Sequence, residues 1–464
     1  YLNNTDALAV ANDYWNSTHA SSTAITLSGD ADINGSGGTY VAYLFASDAG
    51  GFGDDGDENI IKCGSWNENS TNNVTIDCGF EPAFVMFKCA DAASSWYMVD
   101  SMRGIPTPSS GTATGNYINT VLQANSGNAE TSANAISLTS TGFTWYADGR
   151  LTNTAKWIYV AIRRPMKTPE SGTEVFAAET IGATNGGSLP SYVSNFPVDM
   201  LIQARRDVDN NMLLTRLLGE TKLFTNLTNA ESAEIDADFD YQDGAFSNTS
   251  VDTNRLGYMF KRATGFMDVV AYKGDGSGAK SFNHNLGVAP ELLINKIRSS
   301  SDSWYVFVSS LGANQRLKLN EDIASGSSSL WNSTAPTATQ FTVASGLNPS
   351  SETFVNYLFA TLAGVSKVGS YTGTGSNVDV DCGFSAGARF ILIKRTDSTG
   401  DWYVWDTERG IVAGNDPYLL LNSSAAEVTS TDYIDPLASG FTVTSSAPAA
   451  LNASGGSYIF LAIA

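Results

Sequence analysis

The chain has 464 residues, and its 26 Lys and Arg stand against 47 Asp and Glu, a formal charge of −21. An apolar fraction of 42% is too high for disorder, no apolar run approaches the ~20 residues that span a bilayer as a helix, and an acidic chain without a Lys/Arg cluster is a poor partner for nucleic acid or anionic membrane. Two histidines, His19 and His284, leave little material for His-based triads or multi-His metal centres.

In chain order the predicted elements are short β-strands, and they repeat. Residues 1–46 hold the loop Trp15-Asn16-Ser17-Thr18 and an aromatic strand at Tyr43-Leu44-Phe45. After the acidic stretch 51–59, residues 62–105 carry Lys-x-Gly-Ser, then Asp77-Cys78-Gly79-Phe80, an apolar strand ending in Lys88, and Trp96-Tyr97-x-x-Asp100-x-x-Arg103. The same phrases return at 367–411, with Asp381-Cys382-Gly383-Phe384 and Trp402-Tyr403-x-x-Asp406-x-x-Arg409. Residues 317–360 repeat 1–46, down to Trp331-Asn332-Ser333-Thr334 and a closing Tyr-Leu-Phe-Ala. A divergent unit over 173–263 places Met200–Arg205 where its relatives have Phe390–Arg395.

A period of roughly one hundred residues is an ordinary domain length, so the pattern reads as five units in the order A, B, C, A, B. Their bounds are 1–48 (the C-terminal half of an A sandwich), 60–165 (B), 172–264 (C), 266–362 (A) and 366–464 (B). Both ends read as cut from a longer repeat protein. Within a unit, β-branched or aromatic segments such as Val378–Asp381, Phe390–Lys394 and Trp402–Asp406 are separated by Gly, Asn, Ser and Asp, with no 3.6-residue periodicity. The fold class is therefore all-β, a tandem array of antiparallel β-sandwiches. The Pro-containing connector Arg163–Ser171 predicts stiff spacers, so that the sandwiches lie like beads on a rod.

The phrases GSYTGTGSNVDVDCGF, FILIKRTDSTGDWYVWDTERGI, WNSTAPTAT, YVAIRRPMKTPESGTEVF and NASGGSYIFLAIA resemble repeat modules in virion proteins of marine tailed phages. That resemblance implies concanavalin A-like jelly rolls in a tail-fibre-like or other structural component at the virion surface. The expected partners are copies of the chain as a homo-oligomer such as a trimer, other virion proteins and host-surface glycan. It brings no catalytic or ligand residues, and a glycan-binding lectin array is the alternative class, with a polysaccharide-degrading enzyme behind it.

Each candidate site in the sequence has a plain structural role beside it. Asp54, Asp55, Asp57 and Glu58 on a Gly-rich backbone could supply oxygens to Ca²⁺, the one cofactor the sequence suggests, although EF-hand spacing is absent and a solvated acidic linker is the favoured reading. Asp100/Arg103 and Asp406/Arg409 read as a turn pair, a charge-assisted bond holding the strand exit. Trp96, Trp304 and Trp402 read as plugs between the two sheets of a sandwich, whereas Trp15 and Trp331, in polar loops, are the ligand- or partner-contact candidates. His284 reads as a surface or turn residue. The carboxylates Asp397/Asp401 and Asp406/Glu408 are the nearest approach to a glycosidase pair, but the spacing is not reproduced between units. Cys63, Cys78, Cys89 and Cys382 contain no metal-binding spacing; Cys78 and Cys382 read as small buried hydrophobes, and a local bridge from Cys78 to Cys63 or Cys89 stays open. The chain is thus expected to be non-enzymatic.

Overall fold

The computed structural model of the protein describes residues 2–8, 14–53, 55–68, 73–103, 119–133, 136–146, 155–165, 167–219, 221–234, 238–246 and 251–464. It is almost entirely antiparallel β-structure, organised as sandwich-like units over 61–163, 176–260, 267–359 and 366–463. Each unit opens and closes with strands that pair with one another. Ile61–Asn67 pairs with Lys156–Arg163, Phe176–Ile181 with Asp252–Phe260, Met267–Lys273 with Thr353–Phe359, and Ser366–Thr372 with Ser457–Ile463. The closing strand also pairs with the central apolar strand (Pro82–Cys89, Met200–Arg205, Leu292–Ile297 or Phe390–Arg395), and further strands extend the sheet from there. A smaller sheet of two or three strands completes each unit.

Alternation along the strands sends side chains to two different cores. In Phe390–Arg395, Ile391 and Ile393 pack inside the unit with Trp405, Phe441, Val443 and Phe460. Phe390 and Leu392 point the other way, into a second apolar layer shared with Met200, Ile202, Tyr258 and Phe260 of the C unit and Leu292, Tyr357 and Phe359 of the second A unit. Ring contacts across this layer are close: Phe390 lies 5.2 Å from Phe176, 5.3 Å from Tyr258 and 5.9 Å from Phe260, and Phe260 lies 6.0 Å from Phe359.

This layer corrects the rod of separate beads. The central strands are apolar on both faces, and a sheet with two apolar faces must bury both. Its own small sheet covers one face; in the C, second A and second B units, neighbouring units cover the other. The connector expected to act as a spacer is drawn into the joint as well, since Arg164 is largely buried against Asp268 at 3.1 Å.

Residues 14–48 differ from the expected half-sandwich. They contain a short helix, Ala31–Asn34, and no strand, and Val41, Tyr43, Leu44 and Phe45 are exposed. The counterpart of Tyr43–Phe45 in the second A unit, Tyr357–Phe359, is held between Met267–Lys273 and Leu292–Ile297. Among the described residues of 2–48 there is no counterpart of either strand, and Tyr43–Phe45 forms no strand pairing there.

Shared packing makes a mechanical prediction. Phe390→Ala should destabilise the chain by ~3–5 kcal/mol, the usual cost of emptying a buried aromatic site. Hydrogen exchange should rise in Asp252–Phe260 and Thr353–Phe359 along with Phe390–Arg395. Faster exchange confined to 366–464 would restore the bead description.

Candidate functional site

The joints between units are the most elaborate polar constructions in the protein, and they repeat. Registers of the central strands make Met200, Leu292 and Phe390 equivalent, and likewise Thr215, Val308 and Asp406. In the second A unit the Trp304 indole N–H donates to the carbonyls of Phe224 and Leu227 in the C unit, both at 3.0 Å. In the second B unit the Trp402 indole N–H donates to Lys318 O of the second A unit at 2.8 Å. The equivalent position in C is Asn211, whose amide donates to Leu420 O at 2.9 Å and Ser423 O at 3.1 Å of the second B unit. The series therefore closes: A sits on C, B on A, and C on B.

Backbone bonds follow the same cycle. Glu231 N donates to Arg298 O at 2.8 Å, Ser325 N to Thr396 O at 2.8 Å, and Glu427 N to Arg206 O at 2.9 Å. Each acceptor loop is held by an asparagine whose side-chain oxygen takes a backbone N–H from its own unit. Asn226 receives Asn211 N–H, Asn320 receives Trp304 N–H, and Asn422 receives Trp402 N–H. Three consecutive units thus form a closed ring with pseudo-threefold repetition.

Two lysines complete the joints. Lys296 Nζ donates to Thr228 O of the C unit at 2.8 Å and to its own Asp302 O at 2.7 Å; Lys394 Nζ donates to Asp322 O of the A unit at 2.8 Å and to its own Gly400 O. Burial pushes both ammonium groups down to about 8. From the sequence, Lys394 reads only as a strand end, and Lys296 carries no signal of its own. The recurring Leu-x-x-Asn at 223–226, 317–320 and 419–422 was the signal for the acceptor loops, and unequal loop lengths masked it.

Both turn pairs form. Arg409 Nε donates to Asp406 Oδ2 at 2.7 Å and Arg103 Nε to Asp100 Oδ2 at 2.6 Å, while the backbone N–H of each arginine donates to the other carboxylate oxygen at 2.9 Å. Their settings differ. In the second B unit the Tyr258 hydroxyl of the C unit donates to Asp406 at 2.8 Å, Arg409 also reaches Glu427 at 3.3 Å, and Arg206 of C pairs with Glu427 at 3.0 Å. Burial raises the Tyr258 phenol well above its usual range, so it stays a donor.

The first B unit joins the ring through charges. Arg262 pairs with Glu81 at 2.8 Å and approaches Asp199 at 3.5 Å, and Arg216 donates to Val198 O at 2.7 Å and to Ser101 O at 3.3 Å. Asn285 of the second A unit donates to Ser140 O at 3.0 Å. Such buried ions need partners on several sides to offset their lost hydration.

Asp54 lies outside the described residues; Asp55 and Asp57 are exposed, and the Glu58 carboxylate is taken by Arg163. Among the described residues no group of three or more His, Cys, Asp or Glu gathers in a way that could hold a metal. Trp15 is 55% exposed, but Trp331 is 2% exposed, inside the A-unit core against Phe307, with its indole N–H on Gln315 O. Trp331 is therefore a core residue: its loop has the same left-handed Asn-Ser turn as Trp15, and only the surrounding sandwich differs. Trp304 and Trp402 are core plugs, as read, but between units and not between the sheets of one sandwich. His284 is also corrected, being buried with Nε2 at 3.1 Å from Thr337 O and Nδ1 accepting Leu286 N–H, and burial lowers its pKa. His19 is exposed. Asp397 pairs with Arg395, Asp401 accepts from Asn422, and Glu408 accepts Thr180 N–H, so these carboxylates serve separate contacts. All four cysteines are free thiols, and burial pushes those of Cys78 and Cys382 up to about 12.

The fold and joints define a class: tandem antiparallel β-sandwiches closed into a ring by main-chain carbonyl acceptors. Within that class the chain belongs to the family DUF7483, a domain of unknown function, which matches residues 1–164 and 242–464. The unmatched part, 165–241, covers most of the divergent C unit. No curated protein matches the chain.

Two substitutions test the joints. Arg409→Ala leaves Asp406 as an uncompensated buried charge and should cost ~3–5 kcal/mol, while Arg103→Ala, at a more hydrated pair, should cost clearly less in the same denaturant titration. Lys394 has a folded pKa below its unfolded value, so the unfolded chain holds the extra proton between about pH 8 and 10.5 and wild-type stability gains from this group as pH rises through that window. Relative to Lys394→Met, the wild type should therefore become more stable from pH 8 to 10; an unchanged difference would show that Lys394 titrates normally.

Proposed function

We propose that this protein is a non-enzymatic structural component of a tailed-phage virion, part of a fibre- or spike-like surface appendage. The observation that carries the reading is the closed ring of three sandwiches, whose side chains of chemical interest are consumed in joints: Asp406, Arg409, Lys296 and Lys394 all bond to a neighbouring unit or hold the loop that does. Interdigitated sheets suit a part that bears load. The phrase-level resemblance to phage virion modules supplies the biological setting.

In this reading one chain provides a threefold element that other appendages build from three subunits. Copies of the chain and other virion proteins are the expected neighbours along the appendage. Exposed loop aromatics such as Trp15 are where host-surface glycan would be met.

The test is immunogold electron microscopy of virions from the phage that encodes the chain, using antibody against residues 366–464. Label should sit on a projecting appendage. Particles that carry the antigen nowhere would overturn the proposal.

A further inference from the structure

The first B unit carries a second copy of the surface on which the C unit sits. In the ring, C docks on the second B unit through the turn pair Asp406/Arg409, Glu427 and the carbonyls of Leu420 and Ser423. Strand register and the loop asparagines place Asp100, Arg103, Glu130, Gln123 and Ser126 at the same positions in the first B unit. The internal geometry is reproduced as well, with Arg103 3.5 Å from Glu130 where Arg409 is 3.3 Å from Glu427.

What differs is cover. Asp406, Arg409 and Glu427 are 0%, 1% and 5% exposed, whereas Asp100, Arg103 and Glu130 are 23%, 19% and 46% exposed. The apolar face beside them shows the same contrast. Phe390, Leu392, Val404, Ile459 and Leu461 are buried, while their counterparts Phe84, Met86, Met98 and Val160 are only half-buried and Ile158 is exposed. A sheet face this apolar, rimmed by a ready-made charge pair, is a docking surface rather than a solvent face.

The other side of the first B unit is already engaged in the ring manner. Leu8 N donates to Ala90 O and Ser94 N to Thr5 O, matching Ser325 N to Thr396 O and Gly400 N to Asp322 O. Residues 2–8 and the first B unit therefore repeat the B-on-A joint of the closed ring. The one C unit of this chain is committed to the second B unit.

We infer that the first B unit is a docking site for a further β-sandwich of the C kind, one that presents a tyrosine to Asp100, an arginine to Glu130 and an amide donor to the carbonyls of Gln123 and Ser126, as Tyr258, Arg206 and Asn211 do in the ring. Together with an A unit, that sandwich forms a second ring stacked on the first through the Glu81, Arg164, Arg262 and Asp268 charges. The inference concerns assembly and is independent of the virion reading.

The test joins a second copy of residues 165–317 ahead of Tyr1, at the spacing by which C precedes the A–B pair within the chain. Hydrogen exchange over 84–103, 123–130 and 156–163 should slow by at least tenfold relative to the original chain, and residues 40–46 should become protected. Carrying Tyr258→Ala, Arg206→Ala and Asn211→Ala in the added copy alone should abolish the gain and leave the ring unchanged. Exchange unaltered by the intact addition would overturn the inference. Should the extended chain fail to fold, the original chain decides the matter: L420Q/S424G/A425N gives the second B unit the Gln, Gly and Asn of the first unit's acceptor loop and keeps the buried Leu421. If that loop can receive a C sandwich, exchange at 254–260 stays within about twofold of wild type; a tenfold rise would show that it cannot.

Discussion

Everything in this structure depends on the second apolar face of the large sheets. Burying a leucine- or phenylalanine-sized side chain stabilises by ~1.5–3 kcal/mol, and each central and closing strand sends two or three such residues away from its own sandwich. A pair of units could cover part of that surface. Three units meeting around one line cover it from both sides, which is what Phe260, Phe359 and Phe390 do. The ring is therefore a solution to a burial problem set within each unit.

Apolar packing alone would not say which unit sits next to which. The polar groups at the joints supply that choice, because an indole N–H, an ammonium or a carboxylate taken out of water must meet a partner at a defined place. Trp304, Trp402 and Asn211 all solve it by donating to main-chain carbonyls, which are present whatever the side chains are. That choice of acceptor explains how the repeats can diverge and still assemble. Where the sequences do differ, the contacts follow: Asp406 accepts from Tyr258, whereas its counterpart Thr215 shares a hydrogen bond with Tyr357 at 2.9 Å.

Much of the fold was legible in the sequence. Alternating segments and turn residues located the strands, because both depend on local backbone preference and on pairing within about a hundred residues. The turn pairs were legible for the same reason, since Asp and Arg three residues apart need only a turn to meet. Trp331 and His284 were misread because a polar loop looks alike on the surface and beneath a neighbouring strand; their burial is set by Phe307, Thr337 and other residues distant in sequence. The joints were missed for a further reason. The continuous apolar runs MLIQA, LLIN and FILI did announce strands covered on both faces, but a covered face does not name what covers it.

By itself, the sequence determined an acidic, all-β chain of repeated sandwiches with paired turn charges. Only the tertiary structure decided that these sandwiches close on one another, that the C unit chooses the second B unit, and that two identical Asp–Arg pairs live in different surroundings. The physical reason is that strand and turn formation are governed by neighbours along the chain. The cover of an apolar face, the pKa of Lys394 and the burial of Asp406 are instead governed by neighbours in space, which the order of the repeats alone does not specify.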